Sequence, residues 1–468
     1  MAAAVATAES ETAGFHWNRP SGQSLSAKEI EVMQGQLEQV FRGEIQRSKK
    51  SIAYAVGMSL VTCVMIVLPL IYVALIALAA YAVYYHGVEH VGMLAYGRGR
   101  GKIFVLLAYV APMVIGAILV AFMIKPLFAR PANQVRTRSL TRGGEPLLFA
   151  FVHRLCEIVG APRPKRIDVD YELNASAGFR RGMLSFLGSD LVLTIGMPLA
   201  AGLSIREFAG VLAHEFGHFT QGGGMRVTYV ARSINRWFAR VVYERDEWDE
   251  WLENTAAEID FRVGWILMLS QLFVMASRGI LWVLMSIGNA VSGFMLRQME
   301  YDADSYETRV AGSDAFASTT IRIRQLGAAY QGAQPLIMDL LGRGVFPDDL
   351  SKVVLKLAED MPEKVARKLR ENLKNETTGV FDTHPCDKDR IAAARREKAP
   401  GIIHAEGPAS SLFVHCDALT RNVTWDLYCA MGARIKPDDM ASVEELFNEQ
   451  PAPAEVAQQG EVATIPLE

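Results

Sequence analysis

Gly210-Val211-Leu212-Ala213-His214-Glu215-Phe216-Gly217-His218 is the stretch on which the reading of this chain turns. His214 and His218 are four residues apart. On a helix that spacing stacks both imidazoles on one face, where one zinc ion can reach both. Glu215 stands next to the first histidine, so its carboxylate can approach a water at the same metal and take its proton. Zinc makes such a water acidic enough to attack near neutral pH. The neighbours Val211, Leu212, Ala213 and Phe216 are apolar. Ionisable groups in a buried helix need partners, which argues against two solvated surface histidines. Upstream, Ser204 and Glu207 form a capping box, so the helix is expected to start near Ile205. Gly222-Gly223-Gly224 marks its expected end.

A catalytic zinc usually takes three protein ligands and keeps one position open. The next acidic cluster on an apolar background is Arg297-Gln298-Met299-Glu300-Tyr301-Asp302-Ala303-Asp304. Glu300 and Asp304 share a helical face. Glu300 can bind the metal while Asp304 holds a ligating histidine by its free ring N–H. Before the zinc helix, Arg166–Tyr171 alternates with period 2, as a half-buried strand does, and Leu191–Ile195 reads as a second strand. A helix is expected over 145–159, ahead of Pro162 and Pro164.

Outward from this centre the chain turns apolar. Residues 54–85 carry no charge, and as helix they would reach about 48 Å, more than a bilayer core needs. With Pro69 in the middle, one tilted or kinked span is expected. A Gly-rich loop over 86–102 leads to a second uncharged run, 103–124, of single-span length. Arg42, Arg47, Lys49 and Lys50 precede the first run. Lys125, Arg130, Arg136, Arg138 and Arg142 follow the second. This excess puts both ends in the cytoplasm, against Arg98, Arg100 and Lys102 in the loop. Residues 263–277 and 279–296 read as an apolar helical hairpin broken at Ser277-Arg278-Gly279. Residues 28–50 look helical, and 347–376 are amphipathic and charged.

The resulting division is a tail and basic juxtamembrane helix over 1–53, two transmembrane helices within 54–124, a catalytic domain over 130–449 that includes the 263–296 hairpin, and a disordered tail over 450–468. A net charge of −3 gives no reason to expect nucleic acid. Five scattered cysteines (Cys63, Cys156, Cys386, Cys416 and Cys429) without a CxxC pair fit a reducing compartment and no zinc finger.

Four motifs in order resemble the HtpX-type membrane metalloproteases and the related CAAX prenyl proteases. They are Asn174-Ala175-Ser176-Ala177, Leu212–His218, Glu300–Asp304, and Thr383-His384-Pro385 with Arg390 and Ile391. The likeness spans roughly residues 130–430 and the two N-terminal spans. Asp302 stands where the family often has Glu or Ala, and residues 313–380 match no motif. The resemblance implies a mainly α fold with a small β-sheet, an α+β gluzincin metallopeptidase domain, plus the transmembrane helices. It implies one Zn2+ held by His214, His218 and Glu300, with Glu215 as base and Asp304 behind the ligands. It implies an edge strand at Asn174–Ala177 for the substrate and His384 facing the site, able to donate to the oxyanion, with Arg390 in support. Cys386 is expected to be a core thiol. The implied function is a membrane-embedded endopeptidase for membrane or membrane-proximal proteins, as in quality control, whose partners are protein or peptide substrates and the lipid bilayer. The alternatives are a processing peptidase for specific or lipidated precursors, and a non-catalytic scaffold with a structural zinc. Glu215 speaks against the scaffold, since a structural site needs no base.

Overall fold

The computed structural model describes residues 15–16, 26–46, 52–96, 99, 101–128, 136–179, 190–220, 223–244, 261–379, 382 and 384–449. Most of the N-terminal tail, the basic run at 47–50, Arg130, Thr383 and the tail after 449 lie outside the described residues. The fold is mainly helical with a small mixed sheet, and three of its helices are long and apolar enough to cross a membrane.

Short β1 (Phe15–His16) pairs with β6 (Ala405–Glu406), and α1 (Ala27–Val40) follows. The first apolar run is one continuous helix, α2 (Ile52–Glu89), with Pro69 inside it. It continues into the region expected as loop, and a 3-10 turn over Val91–Ala95 completes that connection. The second run is α3 (Gly101–Ile124). Val56, Leu60, Leu70, Phe104 and Leu107 stand exposed along these helices, as lipid-facing side chains do.

The catalytic region begins with β2 (Arg138–Ser139) and α4 (Pro146–Val159). Then come β3 (Arg166–Asp170), β4 (Ala175–Phe179) and β5 (Leu191–Gly196), in the spatial order β2-β3-β5-β4. β3 and β5 are parallel, and β4 is antiparallel to β5 on the outer edge. β3 departs from the half-buried expectation, for Ile167, Asp168, Val169 and Asp170 are all buried. The two aspartates tolerate burial because they have partners. Asp168 meets Arg166 and the Ser139 hydroxyl, and Asp170 accepts from the Glu172 N–H. Burial nonetheless pushes the Asp170 carboxyl up to about 6.

After α5 (Met197–Gly202) comes the helix of His214 and Glu215, α6 (Ile205–Gly217), opened by the expected capping box between Ser204 and Glu207. It stops five residues before the expected glycines, and α7 (Gly223–Tyr243) starts within them. The expected hairpin is instead a single helix, α8 (Phe261–Ala311). Gly279 adopts no positive φ, and the Ser277 hydroxyl donates to the Val274 carbonyl inside the helix. The hydroxyl shares a carbonyl of the helical ladder without ending it, so the local signal for a break fails. Beyond it lie α9 (Ser313–Gly342), α10 (Leu350–Glu359), α11 (Glu363–Asn375), α12 (Asp387–Glu397), α13 (Cys416–Ala430) and α14 (Val443–Glu449). The amphipathic stretch 347–376 thus makes two helices, parted at Met361-Pro362.

One large core joins α4, the sheet and α6, with Leu147, Phe151, Ile167, Leu193, Phe208, Leu212 and Phe216 all buried. Burying each such side chain contributes on the order of 1.5–3 kcal/mol. Against this core α8 lies antiparallel to α6. The close approach depends on two glycines. A Cβ at Gly210 would come within 3.0 Å of the Ala311 Cβ, and one at Gly217 within 3.3 Å of the Ala303 Cα. That approach brings the acidic face of α8 onto the histidines of α6.

Candidate metal centre

α6 places His214 one turn before its end and His218 at its C-cap. The two rings stand edge-on, with centroids 4.9 Å apart and planes at 88°. From α8, 86 residues after His214, comes the buried Glu300. Its Oε2 lies 3.5 Å from His214 Nε2, and its Oε1 lies 3.7 Å from His218 Nε2. The three donor atoms fall within 4.8 Å of one another.

These residues fit a zinc ion. Bonds of ~2.0–2.1 Å in a tetrahedron leave ligand atoms ~3.3–3.5 Å apart, close to the distances here. The donor set, two imidazoles and a carboxylate, is one that catalytic zinc uses. Burial works against a proton on His214, but the carboxylates of Asp304 and Glu300 beside it outweigh it and push that imidazole up to about 10. Burial and the nearby Arg232 hold His218 well below the usual histidine range.

Asp304 sits one turn along α8, with Oδ1 3.0 Å from His214 Nδ1. Arg390 of α12 grips it with a two-pronged contact, Nη2 to Oδ1 at 2.8 Å and Nε to Oδ2 at 3.0 Å. Such forked pairs fix geometry as well as charge. His384, just before α12, lies with Nδ1 3.3 Å from Glu300 Oε2. Arg390 and His384 were drawn from the Thr-His-Pro…Arg-Ile resemblance, and both sit at the centre. Cys386 is only partly buried and caps α12, its Sγ 3.8 Å from the Glu376 carbonyl, so it is not the core thiol expected. All five cysteines are free.

The edge strand meets Glu215. The Ala177 N–H points at Glu215 Oε2, 3.4 Å away. Gly196 N–H donates to the Asn174 carbonyl, so residues 174, 176 and 178 face β5. By alternation, 175, 177 and 179 turn their backbone groups outward. Among the described residues no strand covers that outer edge. Burial pushes the Glu215 carboxyl up, partly offset by His214 and Arg232.

Two groups at the centre have no motif to announce them. Glu307 stands behind His214, 3.9 Å from its Nδ1. Arg232 of α7 pairs with Glu300 Oε1. For Glu307 the available signal was its place one turn beyond Asp304 on a helix. For Arg232 it was a charge on a helix that flanks two apolar ones.

Residues 145–398, more than half the chain, match the sequence model of peptidase family M48. Protease HtpX of Ectopseudomonas mendocina (strain ymp) is 26% identical over 307 residues, covering 64% of this chain and 89% of that protein. Protease HtpX of Pseudomonas syringae pv. tomato is 26% identical over 269 residues, 56% of this chain and 75% of that protein. Protease HtpX of Stutzerimonas stutzeri (strain A1501) is 27% identical over 269 residues, again 56% and 75%. No solved structure matches.

Proposed function

Because the chain belongs to peptidase family M48 and is an HtpX-type integral membrane metalloprotease, we propose that it is a zinc-dependent endopeptidase whose catalytic residues are those gathered between α6 and α8. The observation that carries this reading is the convergence of His214, His218 and Glu300 on one point, with Glu215 and the outer edge of β4 beside it.

In this reading His214, His218 and Glu300 hold the ion, and Asp304, braced by Arg390, orients His214. Bound zinc would supply Lewis acidity toward a water and the scissile carbonyl. The peptide adds to β4 as a further strand, using the outward N–H and carbonyl of 175 and the carbonyl of 177, whose N–H is turned to Glu215. Glu215 takes the proton of the attacking water and delivers it to the leaving amide nitrogen. His384 donates to the oxyanion as the carbonyl becomes tetrahedral. Backbone pairing at small residues demands little of the substrate's side chains. Broad recognition of this kind suits quality control of membrane or membrane-proximal proteins.

The test is purification in detergent, a zinc assay and a casein digest with and without chelator. We expect one zinc per chain and chelator-sensitive cleavage. Glu215→Gln should keep the zinc and lose ~10²–10⁴-fold in turnover. Full activity in that variant would sink the mechanism. The basic flanks of α2 and α3 support a catalytic domain that faces the cytoplasm, and the bacterial relatives support a place at an inner membrane. Ser139→Cys should then resist an impermeant thiol reagent in intact cells and react once the cells are opened. Labelling of intact cells would reverse the orientation.

A further inference from the structure

The acidic face of α8 is held from two sides. Arg390 of α12 grips Asp304, and one turn earlier Arg232 of α7 pairs with Glu300. We infer that Arg232 is a positioning residue that fixes the Glu300 carboxylate toward the metal, as Arg390 fixes Asp304. This rests on the reading of Glu300 as a zinc ligand.

Three observations carry it. The first is the division of labour on Glu300. Arg232 Nη2 donates to Oε1, the oxygen 3.7 Å from His218 Nε2, while Oε2 faces His214 Nε2 at 3.5 Å and His384 Nδ1 at 3.3 Å. A carboxylate on a long side chain can rotate about its last bond. An arginine on Oε1 limits that rotation, so that Oε2 stays toward His214 and His384 and Oε1 toward His218.

The second is burial. The Glu300 side chain is only 5% exposed. A charge so placed needs a paired partner. Arg232 provides one on the side of Oε1.

The third is how Arg232 is delivered there. α7 runs antiparallel to α8 and is pinned at two further levels. Asn235 Nδ2 lies 3.3 Å from Ser292 Oγ, and Arg278 Nη2 donates to the Glu244 carbonyl at 2.9 Å. Ala231 and Phe238, both fully buried, pack into a core with Met65 and Leu281. These contacts set the rotation of α7 and leave residue 232 level with Glu300.

The rival role is a competing cation that sits on Glu300 when metal is absent. The two roles predict opposite signs. Full-length Arg232→Gln and Arg232→Lys, in detergent, are compared with wild type and Glu300→Ala for zinc dissociation constant by competition with a chromogenic chelator. Arg232→Gln should bind zinc ~10–100-fold more weakly, the usual consequence of losing a group that orients a ligand. Arg232→Lys should fall between, since lysine keeps the charge and loses the planar fork. In excess chelator Arg232→Gln should melt lower than wild type, because Glu300 is left buried without its arginine, whereas Arg232→Lys keeps the charge and should melt close to wild type, so weaker zinc binding in the lysine variant is a metal effect and not a folding defect. If Arg232→Gln does not fold, the lysine variant decides, and wild-type zinc affinity in it overturns the inference. Unchanged or tighter zinc binding in Arg232→Gln overturns it too. Zinc binding in wild type that Glu300→Ala abolishes leaves the proposed function standing in either case. A wild-type protein that binds no zinc overturns both.

Discussion

Two pairs of histidines in this chain share one spacing and one separation. His214 and His218 on α6, and His86 and His90 at the end of α2, are each four residues apart with ring centroids 4.9 Å apart. The first pair stands edge-on at 88°, and the second is stacked at 26°. Stacked rings keep their lone pairs in nearly parallel planes, which works against both pointing at one ion. His86 Nε2 is also engaged with the Tyr109 carbonyl at 3.1 Å, and His90 is exposed. Among the described residues, both groups that could hold a metal contain His214, and neither contains His86 or His90. Helical spacing is therefore only half of a metal centre. The other half is a buried carboxylate brought from a distant helix, and a packing that sets the ring planes.

The largest effect should follow from removing that second half. Glu300→Ala leaves the spacing of His214 and His218 intact, yet most of the zinc should be lost, as read by metal analysis after gel filtration. Wild-type zinc content in this variant would make the two histidine pairs equivalent after all and displace Glu300 as the third ligand.

A smaller effect is expected at the strand beside the site. Ala175→Pro removes an N–H on the outward edge of β4 and leaves the bonds to β5 in place. Casein cleavage should fall by ~10-fold or more by loss of strand addition, with zinc content and melting temperature near wild type. Unchanged cleavage in the folded variant would mean that substrate docks elsewhere.

The smallest effect closes the comparison. The double variant His86→Ala, His90→Ala should leave both zinc stoichiometry and cleavage unchanged. A second zinc per wild-type chain, lost in this variant, would show that the stacked pair binds metal and that spacing counts for more than we argue.

Several features were legible in the residues because their causes are local. The capping box at Ser204 and Glu207 is set by three residues of separation, and the shared face of His214 and His218 by the helical repeat. The existence of α2 and α3 as long apolar helices follows from the absence of charge over 54–85 and 103–124, although α2 runs on to Glu89. Other features depended on what each segment packs against. Ser277-Arg278-Gly279 reads as a break, but with its hydroxyl satisfied inside the helix and Arg278 bonded to the Glu244 carbonyl, α8 continues through it. β3 alternates like a half-buried strand, yet partners for Asp168 and Asp170 let both faces be buried. Arg232 and Glu300 are 68 residues apart, and no period in the chain relates them. By itself the sequence determined which side chains share a helical face, because backbone geometry repeats every few residues. Only the tertiary structure decided which faces meet, because that depends on how closely Gly210 and Gly217 let α8 approach α6 and on which buried charges find a partner there.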